Sequence, residues 1–229
     1  MSEQDELKAK IESLHGKLNE FYALDSSWRK LGKWPKDVTG SVLHPAASED
    51  EIAEAEKRFG HTFPPSYKAF LRLHSGWEHF WGDTTLIGTG RPATKKAQDK
   101  IAEYVEHQAG RLKERFGHTP TKSEVKAWEA EEDRYLCLAN HLILGTDFSG
   151  AVWVYDTRTI GRDKEMKLVF WEISYGAQDP TFDRFDAFLD FAIGEVDFRL
   201  ENLARKRGAK KAPAKAKTGG GAKPAKRKK

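Results

Sequence analysis

One cysteine, Cys137, is all the thiol chemistry that the 229 residues provide. An internal disulfide and a multi-cysteine metal site are therefore excluded. Long apolar runs are missing too: no stretch of about 18 apolar residues occurs, so nothing reads as a membrane-crossing helix. The first ten residues, MSEQDELKAK, are polar and lack an apolar core, unlike a secretory signal. These absences predict a cytoplasmic protein with no membrane association. The chain also has no G-x-S-x-G, no H-E-x-x-H and no glycine-rich phosphate loop. The nucleophile, zinc and phosphate devices that those patterns supply are thus missing.

Acid is absent from one end. Twelve of the 39 Lys and Arg lie at or after Arg205, where no Asp or Glu occurs. The rest of the chain keeps 27 basic against 35 acidic residues, a net of −8, which the overall +4 conceals. An acidic body thus carries a basic tail, and each half suits a different partner. All 26 aromatic residues precede residue 204, so the core must be built before the tail.

What is present is organised around Ser48–Trp77. Ser48 with Glu51 three residues on forms a capping box. Ile52, Ala55 and Phe59 then share a helical face, and Gly60 suits the positive φ of a helix stop. Phe63-Pro64-Pro65 breaks the helix, while Pro65 fits the first position of a second one. Tyr67, Phe70, Leu71 and His74 repeat the spacing up to Gly76. The series Ile52, Glu56, Gly60, Phe63-Pro64, Tyr67, Phe70-Leu71, Ser75-Gly76 resembles the opening motif of the SUKH superfamily, with Phe63 in place of a leucine. That superfamily includes the fungal cell-wall-assembly regulator and many bacterial toxin-immunity proteins.

Before this motif, Leu7, Ile11, Leu14, Leu18 and Phe21 form a helical seam over residues 3–24. Its two and a half heptads fall short of a sustained coiled coil, which predicts docking on its own domain. Residues 25–47 read as an ordered connection. After the motif, Thr84–Gly88 reads as a short strand, and 94–133 as helical, with Ile101, Tyr104, Val105, Leu112 and Phe116 on one stripe. Gly117 ends that stripe, and Thr121 with Glu124 forms a further capping box. Ala151–Asp156 and Lys167–Ile173 are apolar on both faces, as central strands are. From Thr181 a last helix carries Phe182, Phe185, Phe188, Leu189 and Ala192. A short segment, Val196–Leu203, follows Gly194. The resemblance covers roughly Ser48–Ile193, with 94–133 longer than the family minimum. The expected organisation is α+β: residues 1–47 as helix and connection; 48–203 as a single SUKH-like domain with a mostly antiparallel sheet; and 204–229 as a disordered basic tail.

Chemistry-bearing groups have bland readings. His74 and His79, with Glu78 and Asp83, have metal-capable side chains, but a spacing of five across Gly76 does not put both histidines on one face. Cys137 lies in an apolar run, where cysteine packs as a small hydrophobe. Asp147 and Asp156 suit turn capping. No catalytic residue, cofactor or metal is expected. Trp77 and Trp81, tryptophans beside a glycine-rich turn, can anchor a partner, with Glu78, Asp83 and Asp147 as acidic contacts. In the tail, Lys210, Lys211, Lys215, Lys217, Lys226, Arg227, Lys228 and Lys229 can neutralise phosphates without reading sequence. The resemblance implies a non-enzymatic immunity protein that neutralises a cognate toxin, of nuclease or deaminase type. The tail supports the alternative of a nucleic-acid-associated or scaffolding protein.

Overall fold

A computed structural model describes residues 2–27, 34, 36–81, 84–89, 92–132, 134–147 and 150–211, with backbone alone for 92–94 and 208–211. Among them the chain runs α1 (Glu3–Leu24), β1 (Val42–Leu43), α2 (Glu49–Phe59), α3 (Pro65–Leu73), β2 (Trp77–Trp81), β3 (Thr84–Leu86), α4 (Pro92–Phe116) and α5 (Lys122–Glu131). It then continues through β4 (Leu142–Thr146), β5 (Ala151–Asp156), β6 (Lys167–Glu172), β7 (Gly176–Phe182) and α6 (Phe185–Lys211). The seven strands form one sheet in sequence order, and every neighbouring pair is antiparallel. The α+β class is as expected from the sequence.

The helical hairpin α2–α3 is set by local chemistry. Ser48 and Glu51 exchange both hydrogen bonds of the capping box, and Gly60 ends α2 at φ 70°. The motif residue Glu56 then holds the turn: its carboxylate accepts from the Phe63 N–H at 2.7 Å and pairs with Lys68 at 2.7 Å. Helix α3 has Pro64 at its cap position and gains no side-chain bond from it. Its anion comes instead from a distant loop. Glu165, buried before β6, accepts from the Ser66 N–H and hydroxyl, both at 2.8 Å. Ser66 Oγ in turn accepts from the Phe185 N–H at 3.1 Å, at the start of α6. A carboxylate at a helix N-terminus answers both the unpaired N–H groups and the dipole.

The two faces of the sheet bury different helices. Leu142, Leu144, Tyr155 and Leu168 belong to the main core with α1, α2, α3 and α6. Their neighbours Ile143, Val152, Val154, Val169 and Trp171 belong to a second core with Tyr104, Ile101 and Val105 of α4. The helical stretch after β3 is therefore why β5 and β6 are apolar on both sides. Helix α5 packs outside α4 through Val125 and Trp128, against Leu112 and Cys137.

The α1 seam, Leu7, Ile11, Leu14, Leu18 and Phe21, is buried as expected. Its neighbour is α6, which runs parallel to it. Arg184 pairs with Glu3, Lys10 with Asp190, Lys17 with Asp197, and Arg207 donates to the Leu24 carbonyl at 2.9 Å. From Lys10–Asp190 to Lys17–Asp197 both helices advance by seven residues, the repeat of two helices meeting along one stripe.

Three boundaries differ from the sequence reading. Trp77–Trp81 is a strand: β2 carries a register shift, with His79 at φ 52°, and this irregularity breaks the alternation that marks strands. Thr181 and Phe182 end a strand, β7, whose Gln178, Asp179 and Pro180 disguise it. Helix α6 continues through Gly194 to Lys211, eight residues into the stretch read as tail. Residues 212–229, the site of the other tail lysines and arginine, lie outside the described residues.

Glu165→Ala should lower unfolding free energy by about 2–3 kcal/mol, because it leaves the Ser66 donors without their buried acceptor. Urea denaturation measures this; a loss within experimental error would show that the junction is not stabilising.

Candidate partner-binding cleft

Where α6 crosses the end of the sheet, a cleft of about 470 Å³ opens. Phe80 and Phe188 form its buried floor. Half-buried Trp81, Trp153 and Phe170 form its walls, and Phe191, 36 % exposed, stands at its edge. The rings support one another: Trp153 lies 4.7 Å from Phe188 and 4.9 Å from Phe170, the range of favourable edge and offset contacts. Three carboxylates share the lining, Asp147 after β4, Asp179 in β7 and Glu195 in α6, and no Lys or Arg lines the cleft among the described residues. The negative ring faces and the carboxylates both favour a cation with an apolar stem. The chain already shows this chemistry, since Arg199 Cζ sits 4.7 Å above the Trp81 ring.

Comparison with known proteins agrees with the opening motif. Residues 46–190, more than half of the chain, match the sequence model of the SMI1 / KNR4 family (SUKH-1). The chain belongs to that family. An uncharacterized protein of Bacillus subtilis (strain 168), YnaB, is 39 % identical over 70 residues, which are 31 % of this chain and 48 % of that protein. The chain thus spans about half the length of this relative.

Within this SUKH-1 domain the anticipated contact residues separate. Trp81 and Asp147 come together in the cleft, although Asp147 also accepts from the Ala151 N–H at 3.1 Å as a turn cap. Trp77 does not join them. It is fully buried, its indole N–H donates to Ser41 Oγ, and its ring packs against Phe80 and Phe70, so it belongs to the core and not to a contact surface. The irregular β2 explains this, because it sends both Trp77 and Phe80 inward at a spacing of three. Glu78 is half-buried, with Oε1 2.7 Å from His44 Nε2, and does not line the cleft. Asp83 lies outside the described residues. Asp179, Glu195, Trp153 and Phe170 were not singled out from the sequence, because the cleft assembles from positions on separate strands and a helix. Phe191 did carry a signal: it is a large aromatic residue lying off the apolar stripe of its own helix.

Elsewhere, the titratable groups form a buried frame. Glu129 Oε1 accepts from the Cys137 N–H at 2.7 Å and lies 2.8 Å from His141 Nε2. His141 Nδ1 accepts from the Thr157 N–H at 3.1 Å, which places the ring proton on Nε2. Asp156 receives the Arg158 guanidinium at 2.7 and 2.8 Å, and Arg158 also reaches the Glu129 and Tyr135 carbonyls. Burial alone would push both carboxyls up. For Asp156 the Arg158 hydrogen bonds outweigh burial; for Glu129 those from His141 and the Cys137 N–H do. Both groups end below their ordinary values. Burial raises the Cys137 thiol, the opposite of what an activated nucleophile needs. This frame ties α5 to the sheet.

Its acid response follows. Both carboxyls titrate lower in the native state than when unfolded, so the native state holds fewer protons in this range. Their stabilisation is full above the ordinary carboxylate values of 4.5 and 3.8, and is lost as pH falls through and below them. Urea midpoints measured from neutral to acid pH should fall, and Asp156→Asn, less stable at pH 7, should show a shallower fall. Equal slopes in the two proteins would contradict the assignment.

Proposed function

We propose that the protein is a non-enzymatic binding module of the toxin-immunity kind, which neutralises a basic, nuclease- or deaminase-type protein by seating one of its cationic side chains in the aromatic cleft. The observation that carries this reading is the pairing of aromatic walls with Asp147, Asp179 and Glu195 in one cavity. The family supports it, since SUKH-1 proteins include immunity and regulatory proteins that bind protein partners. The charge distribution supports it as well. Before Arg205 the chain is net −8, and complementary fields speed encounter while close carboxylates fix register. A Lys or Arg stem would lie along Trp81 and Phe191, with its head among the carboxylates, removing apolar ring surface from water and pairing a charge in one step. Neutralisation then needs occupancy alone: a tight complex that covers the partner's own active surface.

The test is association with any basic toxin domain that is encoded beside this gene. Wild-type protein should bind it and protect cells expressing it. Asp179→Lys with Glu195→Lys should slow association by about tenfold or more at low salt, with an unchanged melting temperature. Trp81→Ala should mainly speed dissociation. Failure of the wild-type protein to bind or protect would sink the reading, and full activity of the double reversal would remove the cleft from it.

The twelve basic residues from Arg205 onward support a second, separable role in holding nucleic acid. A mobility-shift assay at low salt should show duplex retention by the full chain that is lost on deleting residues 205–229 and weakens steeply with added salt. The absence of any shift by the full chain would dismiss this role.

A further inference from the structure

A second cavity, of about 400 Å³, lies across the sheet from the cleft, between the C-terminal half of α4, α5 and the β6–β7 turn. Phe170 and Trp171 are successive residues of β6; the first lines the cleft and the second lines this cavity. The chemistry is reversed here. Arg111, Arg115 and Arg134 line it together with Trp128, Tyr135 and Tyr175, although the chain before Arg205 is acidic overall.

Arg134 Cζ lies 5.6 Å from the centre of the Tyr135 ring, so the ring faces left for a ligand are those of Trp128 and Tyr175. Trp128 and Tyr135 stack at 5.0 Å with only 10° between their planes. Tyr175 stands at the tip of the turn with 67 % of its surface in water. The arginines are differently engaged. Arg111 donates one N–H to the Ile173 carbonyl at 3.1 Å, and no carboxylate pairs with it among the described residues. Arg115 and Arg134 meet Glu131 and Glu132 in exposed pairs at 3.3 and 2.5 Å, which are weak and yield readily to a competing anion.

The frame that holds these groups is fixed. Gln108, buried, donates to the Leu136 carbonyl at 2.6 Å and accepts from the Leu138 N–H at 2.7 Å. The Ala177 N–H donates to the Arg134 carbonyl at 3.0 Å, and this joins the turn to the α5–β4 connection. Gly176, at φ 77°, allows that approach, since a Cβ there would lie 2.8 Å from the same carbonyl oxygen. The cavity is therefore preformed.

We propose that this cavity binds a nucleoside phosphate, with the phosphate held by Arg111 and its neighbouring guanidinium groups and the base laid against the aromatic surfaces. Guanidinium forks match phosphate oxygens in geometry and charge, and bases stack on aromatic side chains whatever their identity. The volume falls in the range of small-molecule sites, about 300–1,000 Å³. An acidic peptide would satisfy the arginines but leave the ring faces without a role. The ligand's source is either a free nucleotide or the phosphorylated end of an RNA. The site is independent of the partner cleft and of the basic stretch after Arg205.

The experiment is calorimetric titration of the full chain with AMP, ATP, adenosine, inorganic phosphate and a 5′-phosphorylated RNA oligonucleotide, with indole fluorescence as a second readout. A nucleoside phosphate, free or at the RNA end, should bind saturably at one site with a Kd of about 100 μM or tighter. Adenosine and phosphate alone should bind about tenfold more weakly or worse, because each keeps only half of the contacts. Arg111→Ala and Tyr175→Ala, both at exposed positions, should each weaken the bound probe by about tenfold while melting like wild type. Their effect distinguishes this cavity from binding through the basic stretch, which neither substitution touches. The proposal is overturned if no probe saturates, if phosphate alone binds as well as the nucleotides, or if binding survives both substitutions.

Discussion

One buried carboxylate holds three remote parts of the chain in place. Glu165, from the loop before β6, receives the first donors of α3, and Ser66 passes the connection on to the first N–H of α6. Everything that must be brought together for the main core meets here. Tyr67 and Phe70, on the turn that follows Ser66, pack on Phe185 at 5.3 and 5.0 Å, and Tyr67 also meets Tyr155 of β5. A lone carboxylate in an apolar interior is costly, but at a helix N-terminus with two donors aimed at it the cost is offset. The helix α3 has no cap of its own, so hairpin, loop and closing helix stabilise one another instead of standing alone.

Local punctuation was readable from the residues because its physics is local. Ser48, Gly60, Gly117 and the Thr121 capping box sit where their side chains, or the lack of one, put them. The two-faced strands were readable for the same reason, although what covered the second face was not. Long-range compensation hid the rest. The irregularity at His79 disguised β2 and turned a presumed contact residue, Trp77, into core. The missing cap of α3 gives no hint that its partner stands 99 positions away. Of the cleft, Trp81 and Asp147 could be singled out by type, but Asp179 and Glu195 look like ordinary surface acids until the sheet and α6 bring them together.

The sheet also separates two chemistries. On one side aromatic rings meet carboxylates, and on the other aromatic rings meet guanidinium groups. The alternation of side chains along β6 makes such a division natural, because the adjacent residues Phe170 and Trp171 serve opposite faces. The helices α4 and α5 allow the second face to be built at all, since they bury its middle and leave a preformed hollow at one end. The cleft shares its floor, Phe80 and Phe188, with the main core, but its rim carboxylates and the arginines of the second hollow stand outside every core cluster, so these charged groups can change without dismantling the fold.

The parallel pairing of α1 with α6 has a practical consequence. The segment that matches the family stops at residue 190, six residues into α6, whereas Phe191, Ala192 and Glu195 of the cleft lie beyond that point. They are held in position by a helix from the opposite end of the sequence. A fragment trimmed to the shared family segment would lose part of the cleft wall and the brace behind it. The recognisable portion of this protein is therefore smaller than the portion that builds the cleft.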